Sequence, residues 1–143
     1  MYDKSETDIF EFNAKKRIFK IKNDNTNYYQ ELLNLHKSNI LSETLDRINK
    51  FVESEFKKKE KLLITANQLR NIYDEVIKIS DTDINGIQFL RPKLAYIAGR
   101  NKGAKEIVVF LDKLVSDIET EDNVKSFKTF MEAVVSYHKF YHD

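Results

Sequence analysis

The sequence predicts an all-α protein, one compact domain built as a bundle of about five to six helices, on three observations. Its single proline and three glycines all fall between residues 86 and 103, which leaves most of the 143 residues without the punctuation that hairpins need. Apolar residues recur every three or four positions over long stretches. Residues suited to capping helix starts stand where those stretches begin. The chain is 41% hydrophobic and 33% charged, and at this length it can bury roughly 70% of the surface its unfolded form exposes.

The elements follow in order. RIFKIKN (17–23) alternates basic and apolar side chains and fits a short strand or a frayed helix, while NYYQELLNLHKS (27–38) reads as one short amphipathic helix. Leu41, Leu45, Ile48, Val52 and Phe56 step by four, three, four and four, one face of a helix that runs out into the solvated KKKEK (57–61). Thr65 with Gln68 matches a capping box, which satisfies the free amides of a helix start, and Leu69, Ile72, Tyr73, Val76 and Ile79 form the stripe behind it. Asp81, Thr82 and Asp83 close that helix. Pro92 either suits the first turn of the next one, where a missing N–H costs nothing, or kinks a helix begun near Ile84, and the first turn is the favoured place. Gly99 and Gly103 offer positive φ, so the chain can stop and restart around RNKG. From Ala104, Ile107, Phe110, Leu111, Leu114, Val115 and Ile118 point inward. Asp122 or Asn123 is expected to cap the last helix, whose buried face is Phe127, Phe130, Met131, Val134, Val135 and His138. The last two helices are expected to pack antiparallel.

Composition removes several function classes. Without cysteine there is no disulfide, thiolate metal site, iron–sulfur cluster or cysteine nucleophile. No stretch approaches the ~18 apolar residues of a membrane span, and MYDKSETDIFEF lacks the basic start and apolar run of a secretory signal, so a cytoplasmic protein without membrane contact is expected. Nucleotide-binding, hydrolase and metalloprotease motifs are missing. His138 and His142 have metal-ligand spacing but lack a third ligand, so neither a metal nor another cofactor is expected.

One segment stands out. GIQFLRPKLAYIAGRNKGAK (86–105) carries Arg91, Lys93, Arg100, Lys102 and Lys105 and no acidic residue, in a protein whose net charge is only +1. From Ile107 to Asp143 the balance reverses, with Asp112, Asp117, Glu119, Glu121, Asp122, Glu132 and Asp143 against Lys113, Lys125, Lys128 and Lys139. Arg91 and Arg100 are two of only five arginines, and the planar guanidinium fork matches phosphate oxygens better than an ammonium does. Nearby glycines let backbone amides approach a phosphate. Tyr96, four residues before Arg100, is either packing or a surface for bases.

ITANQLRNIYDEV (64–76), IQFLRPKLAYIAGR (87–100) and FMEAVVSYHKFY (130–141), in that order and spacing, resemble the small subunit of the type III-A CRISPR effector, the Csm complex. The resemblance covers roughly residues 62–142, and the first 40 residues lie outside it. It implies an all-helical subunit with no catalytic centre, present in several copies that stack beside larger subunits. It further implies backbone contacts to guide RNA and target RNA, with nuclease and cyclic-nucleotide chemistry left to other subunits. By the same resemblance Arg70 in QLRN, Arg91 in FLRPK and Arg100 in AGR match basic positions, and a metal role for His138 is disfavoured. Lys93, Lys102 and Lys105 join the candidate RNA-binding set on charge alone. Two other readings compete with it. One is a helical adaptor that joins only proteins, and the other is a metal-dependent enzyme using His138 and His142.

Overall fold

Ile48, Phe51 and Val52, all but excluded from solvent, define the buried face of the helix α1 (Leu41–Glu55) in a computed structural model that describes residues 31–37 and 41–142. The expected stripe is shifted at its start, because Leu41 stays 39% exposed while Thr44 and Arg47 go inside. Those polar groups are buried because they have a partner. Arg47 Nη1 lies 3.2 Å from Glu31 Oε1, and Thr44 Oγ1 donates to the same oxygen at 3.3 Å. A charge taken out of water needs that kind of compensation. The segment 17–23 lies outside the described residues, and so does part of the helix expected over 27–38. Of the latter, Leu32, Leu33 and Leu35 are seen, and all three are buried.

KKKEK is solvated but not helical. α1 stops at Glu55, and the run forms a two-stranded hairpin in which β1 (Lys57–Lys58) pairs antiparallel with β2 (Lys61–Leu62). Lys59 and Glu60 turn the chain with φ of 52° and 66°, the doubly left-handed geometry that matches the twist of paired strands. The turn contains none of the residues that normally announce it, so a search for glycine or asparagine passes over it.

α2 (Ala66–Lys78) begins at the expected capping box. Gln68 N donates to Thr65 Oγ1 at 3.1 Å, and Thr65 N donates back to Gln68 Oε1 at 3.1 Å. Leu69, Ile72 and Val76 are buried, and Tyr73 and Ile79 are half-buried beside them. A 3-10 turn over Gly86–Phe89 then leads straight into α3 (Leu90–Arg100), which places Pro92 in the first turn as expected. No glycine takes positive φ, and Gly99 sits inside α3. The stop comes from Asn101, held extended at φ −131° and ψ 95°. Its Oδ1 accepts from Gly103 N at 3.1 Å, and its Nδ2 donates to Leu63 O at 3.1 Å and to Gln68 Oε1 at 2.9 Å. One amide thus ends α3 and ties it to the start of α2.

α4 (Lys105–Ser116) buries Ile107, Phe110, Leu111, Leu114 and Val115, and Ile118 is buried just beyond its end. α5 (Glu121–His142) is capped earlier than expected, by Thr120, whose Oγ1 accepts from Asn123 N at 3.1 Å. Asn123 Oδ1 reciprocates by accepting from Thr120 N at 3.2 Å, and its Nδ2 donates to Leu33 O at 2.8 Å. α5 packs mainly against α1 and α2, and α3 packs against α4. The expected antiparallel pairing of the last two helices is therefore not a main packing of the fold, and the two meet through Phe110 and Phe130, ring centroids 6.1 Å apart. Phe51 stands 5.2 Å from both Phe56 and Phe110, so one run of aromatic rings joins α1, α4 and α5. Among the described residues no helix is long and apolar enough to cross a membrane.

Candidate nucleic-acid interface

α3 carries four of the six candidate residues on or just beyond its turns, and its inward face is set by Leu90, Leu94 and the half-buried Ile97. At about 100° per residue, Arg91, Ala95 and Ala98 fall on one flank of that face, and Lys102, beyond the helix end, lines the cleft beside it. Phe89, Lys93, Tyr96 and Arg100 fall on the other. Contacts with neighbouring helices agree, since Arg91 reaches Asp112 of α4 and Lys93 reaches Glu75 of α2. The basic segment is one run in sequence and two surfaces in space.

The first flank opens on a cleft of about 710 Å³ between α3 and α4. Arg91, Lys102 and Lys105 line it together with Lys113, and Ala95, Ala98 and Gly99 keep its α3 wall low. Asp112 is its one carboxylate among the lining residues. Arg91 grips that carboxylate with two parallel bonds, Nε to Oδ1 at 2.8 Å and Nη2 to Oδ2 at 3.2 Å. The hydrogen bond that Arg91 donates to Asp112, with that carboxylate's charge, pushes the guanidinium pKa further up. Both side chains remain open to water, 44% and 36% exposed. The glycines play another part than the one expected. A Cβ at Gly99 would meet nothing within 4 Å, whereas one at Gly103 would stand 3.3 Å from Asn101 Oδ1 and 3.4 Å from Leu63 O, so Gly103 serves packing.

The second flank borders a cleft of about 540 Å³ between α2 and α3. Lys93 bonds Glu75 there, and Lys78 bonds the same carboxylate at 3.3 Å. These two bonds, Lys93's first, hold the Glu75 carboxyl below the usual carboxylate range. Arg100 Nη1 donates to Tyr96 Oη at 3.1 Å, and its guanidinium carbon lies 5.8 Å from the centre of the Tyr96 ring. Arg70 stands apart on α2, paired with Asp74 at 3.4 Å.

Asp112 and Lys113 escaped the candidate set drawn from the sequence. The register of α4 contained a signal, because Lys105, Val109, Asp112 and Ser116 form its outward stripe. Only the packing of α4 on α3 says that this stripe faces Arg91.

The paired histidines are held by the backbone. His138 Nε2 lies 3.0 Å from Ile64 O and His142 Nε2 lies 2.8 Å from Val52 O. A carbonyl can only accept, so each Nε2 carries a hydrogen and presents no lone pair to a metal. Among the described residues no cluster of three or more His, Cys, Asp or Glu could hold a metal ion.

With this geometry in place, the family model for Csm2 of type III-A matches residues 38–143. α1 and the hairpin therefore fall within the matched region as well. A Streptococcus thermophilus protein described as "CRISPR system Cms protein Csm2" is 28% identical over 89 residues, which span 55% of this chain and 74% of that protein. No solved structure matches the chain significantly.

Proposed function

The chain belongs to the type III-A Csm2 family and is a small subunit of a type III-A CRISPR complex; from that premise we propose that it binds RNA without cleaving it, stacking in several copies along guide RNA paired to target RNA. The observation that carries the reading is the cleft between α3 and α4. Arg91, Lys102 and Lys105 meet there across a wall of small side chains. Such a cleft admits a phosphate backbone and offers no pattern for reading bases, which suits a complex whose sequence recognition belongs to base pairing. The other cations of the candidate set, Lys93, Arg100 and Arg70, stand outside that cleft, so they contribute through separate contacts or long-range field.

Head-to-tail stacking is supported by the separation of charge along the chain, basic over 86–105 and acidic over 117–122. An interface of that kind is heterologous, joining unlike surfaces of successive copies. The reading places the protein in the cytoplasm with the other subunits of its complex.

Labelled single-stranded RNA tests the reading directly. Arg91→Ala with Lys102→Ala should weaken binding to every RNA sequence alike and flatten the dependence of log K on log salt by about 1.4, at about 0.7 for each phosphate no longer neutralised. Lys139→Ala on α5 should change little. RNA binding that is undetectable in the intact chain would favour the adaptor reading, in which the helix faces join proteins only.

A further inference from the structure

The flank of α3 that turns away from α4 combines exposed aromatic and basic side chains. Phe89, Lys93, Tyr96 and Arg100 follow one another at steps of four, three and four, so aromatic and basic side chains alternate along one stripe. Phe89 is 72% exposed and Tyr96 is 64% exposed, although the fold buries Phe51, Phe56, Phe110, Phe127 and Phe130 almost completely. Arg100 lies beside the Tyr96 ring, its guanidinium carbon 5.8 Å from the ring centre, while most of the ring's surface stays in water.

We propose that this stripe is a stacking platform for unpaired RNA bases, with Tyr96 and Phe89 receiving the bases and Arg100 and Lys93 meeting the adjoining phosphates. The proposal rests on the RNA-binding reading and goes beyond it, since the α3–α4 cleft holds only backbone. Three physical points favour this occupant. Alternating cations and rings complement a chain in which phosphates alternate with bases. The guanidinium of Arg100 adds a cation–π contact that stiffens the platform. The two rings are about 10 Å apart along the helix, at 1.5 Å per residue, whereas bases in a duplex follow at about 3.4 Å. The platform therefore fits bases splayed out of a helix, as single-stranded recognition uses them. On the α2 side Asp74 and Glu75 line the adjoining cleft and repel phosphates, so a strand would run along the outer edge of the stripe, where Lys93 would exchange Glu75 for a phosphate.

The test uses the intact chain and a short single-stranded RNA carrying 2-aminopurine, whose fluorescence drops on stacking. Tyr96→Leu and Phe89→Leu should each lower affinity by about tenfold, as expected when one base no longer stacks. Quenching should fall with it, while the salt dependence stays unchanged because every phosphate keeps its cation. Tyr96→Phe should bind like the wild type. An RNA with abasic sites, and a fully paired duplex, should not distinguish Tyr96→Leu from the wild type. Binding that falls in Arg91→Ala with Lys102→Ala but is indifferent to both leucine variants would overturn the platform alone and leave the stripe as a protein contact. No binding of any RNA would overturn both this proposal and the reading beneath it.

Discussion

Arg91 and Asp112 face each other as a two-bonded pair, Nε to Oδ1 at 2.8 Å and Nη2 to Oδ2 at 3.2 Å, in the middle of an otherwise basic cleft. The carboxylate orients the guanidinium and also subtracts charge from the surface that a phosphate would approach. At this exposure the pair contributes no more than about 1 kcal/mol to folding. Asp112→Asn should therefore fold normally and bind RNA about two- to fivefold tighter at low salt. The gain should vanish in concentrated salt, where exposed charges are screened. Anisotropy titrations at two ionic strengths decide it, and weaker binding would mean that orientation of Arg91 outweighs the added charge.

The buried guanidinium of Arg47 depends on Glu31, which lies ahead of α1 in the chain and is only 13% exposed at its side chain. Glu31→Ala leaves the guanidinium with only the more exposed Glu43, 3.6 Å away, and should cost about 3 kcal/mol in urea denaturation. Adding Arg47→Met should recover most of that cost, since a well-packed apolar residue needs no partner. Strictly additive effects of the two changes would show that the pair is not coupled.

The hairpin turn holds Glu60 at φ 66°, where an L residue with a Cβ is strained. Glu60→Gly should stabilise the protein by about 0.5–1 kcal/mol through relief of that strain. Its ion pair with Lys57, 3.6 Å long and with Glu60 92% exposed, contributes little to stability. A matched Glu53→Gly inside α1 should cost about 1 kcal/mol instead. Equal destabilisation by both changes would refute the left-handed turn.

Lys128 of α5 reaches the end of α2, bonding Ile79 O and lying 2.6 Å from Asp81 Oδ1. Its hydrogen bond to Asp81 holds that carboxyl below the ordinary range, with burial opposing slightly. A depressed carboxyl pKa stabilises the fold above the unfolded value, near about 3.9, and the contribution disappears as pH falls through the folded value. Lys128→Met should therefore lower stability at about pH 6, and the gap from the wild type should narrow as pH falls below the unfolded carboxyl value. The part that persists belongs to the Ile79 carbonyl. A gap of constant size across that range would leave Asp81 without a role.

The helical class, the capping box at Thr65 and Gln68 and most buried stripes were legible in the sequence, because each depends on residues within three or four positions of one another. The position of the basic segment was legible too. The hairpin over 57–62 was not, since its turn uses Lys59 and Glu60 in place of the usual glycine or asparagine. Nor was the stop after Arg100, which Asn101 achieves through bonds to the distant Leu63 and Gln68. That Arg91 and Lys102 look toward α4 while Lys93 and Arg100 look away from it is a property of the packed fold. Four cations close together read as one patch along the chain, but a helix turns about 100° per residue, and Leu90 and Leu94 seat α3 so that its buried face divides Arg91 from Lys93 and Arg100, while the extended Asn101 redirects the chain before Lys102.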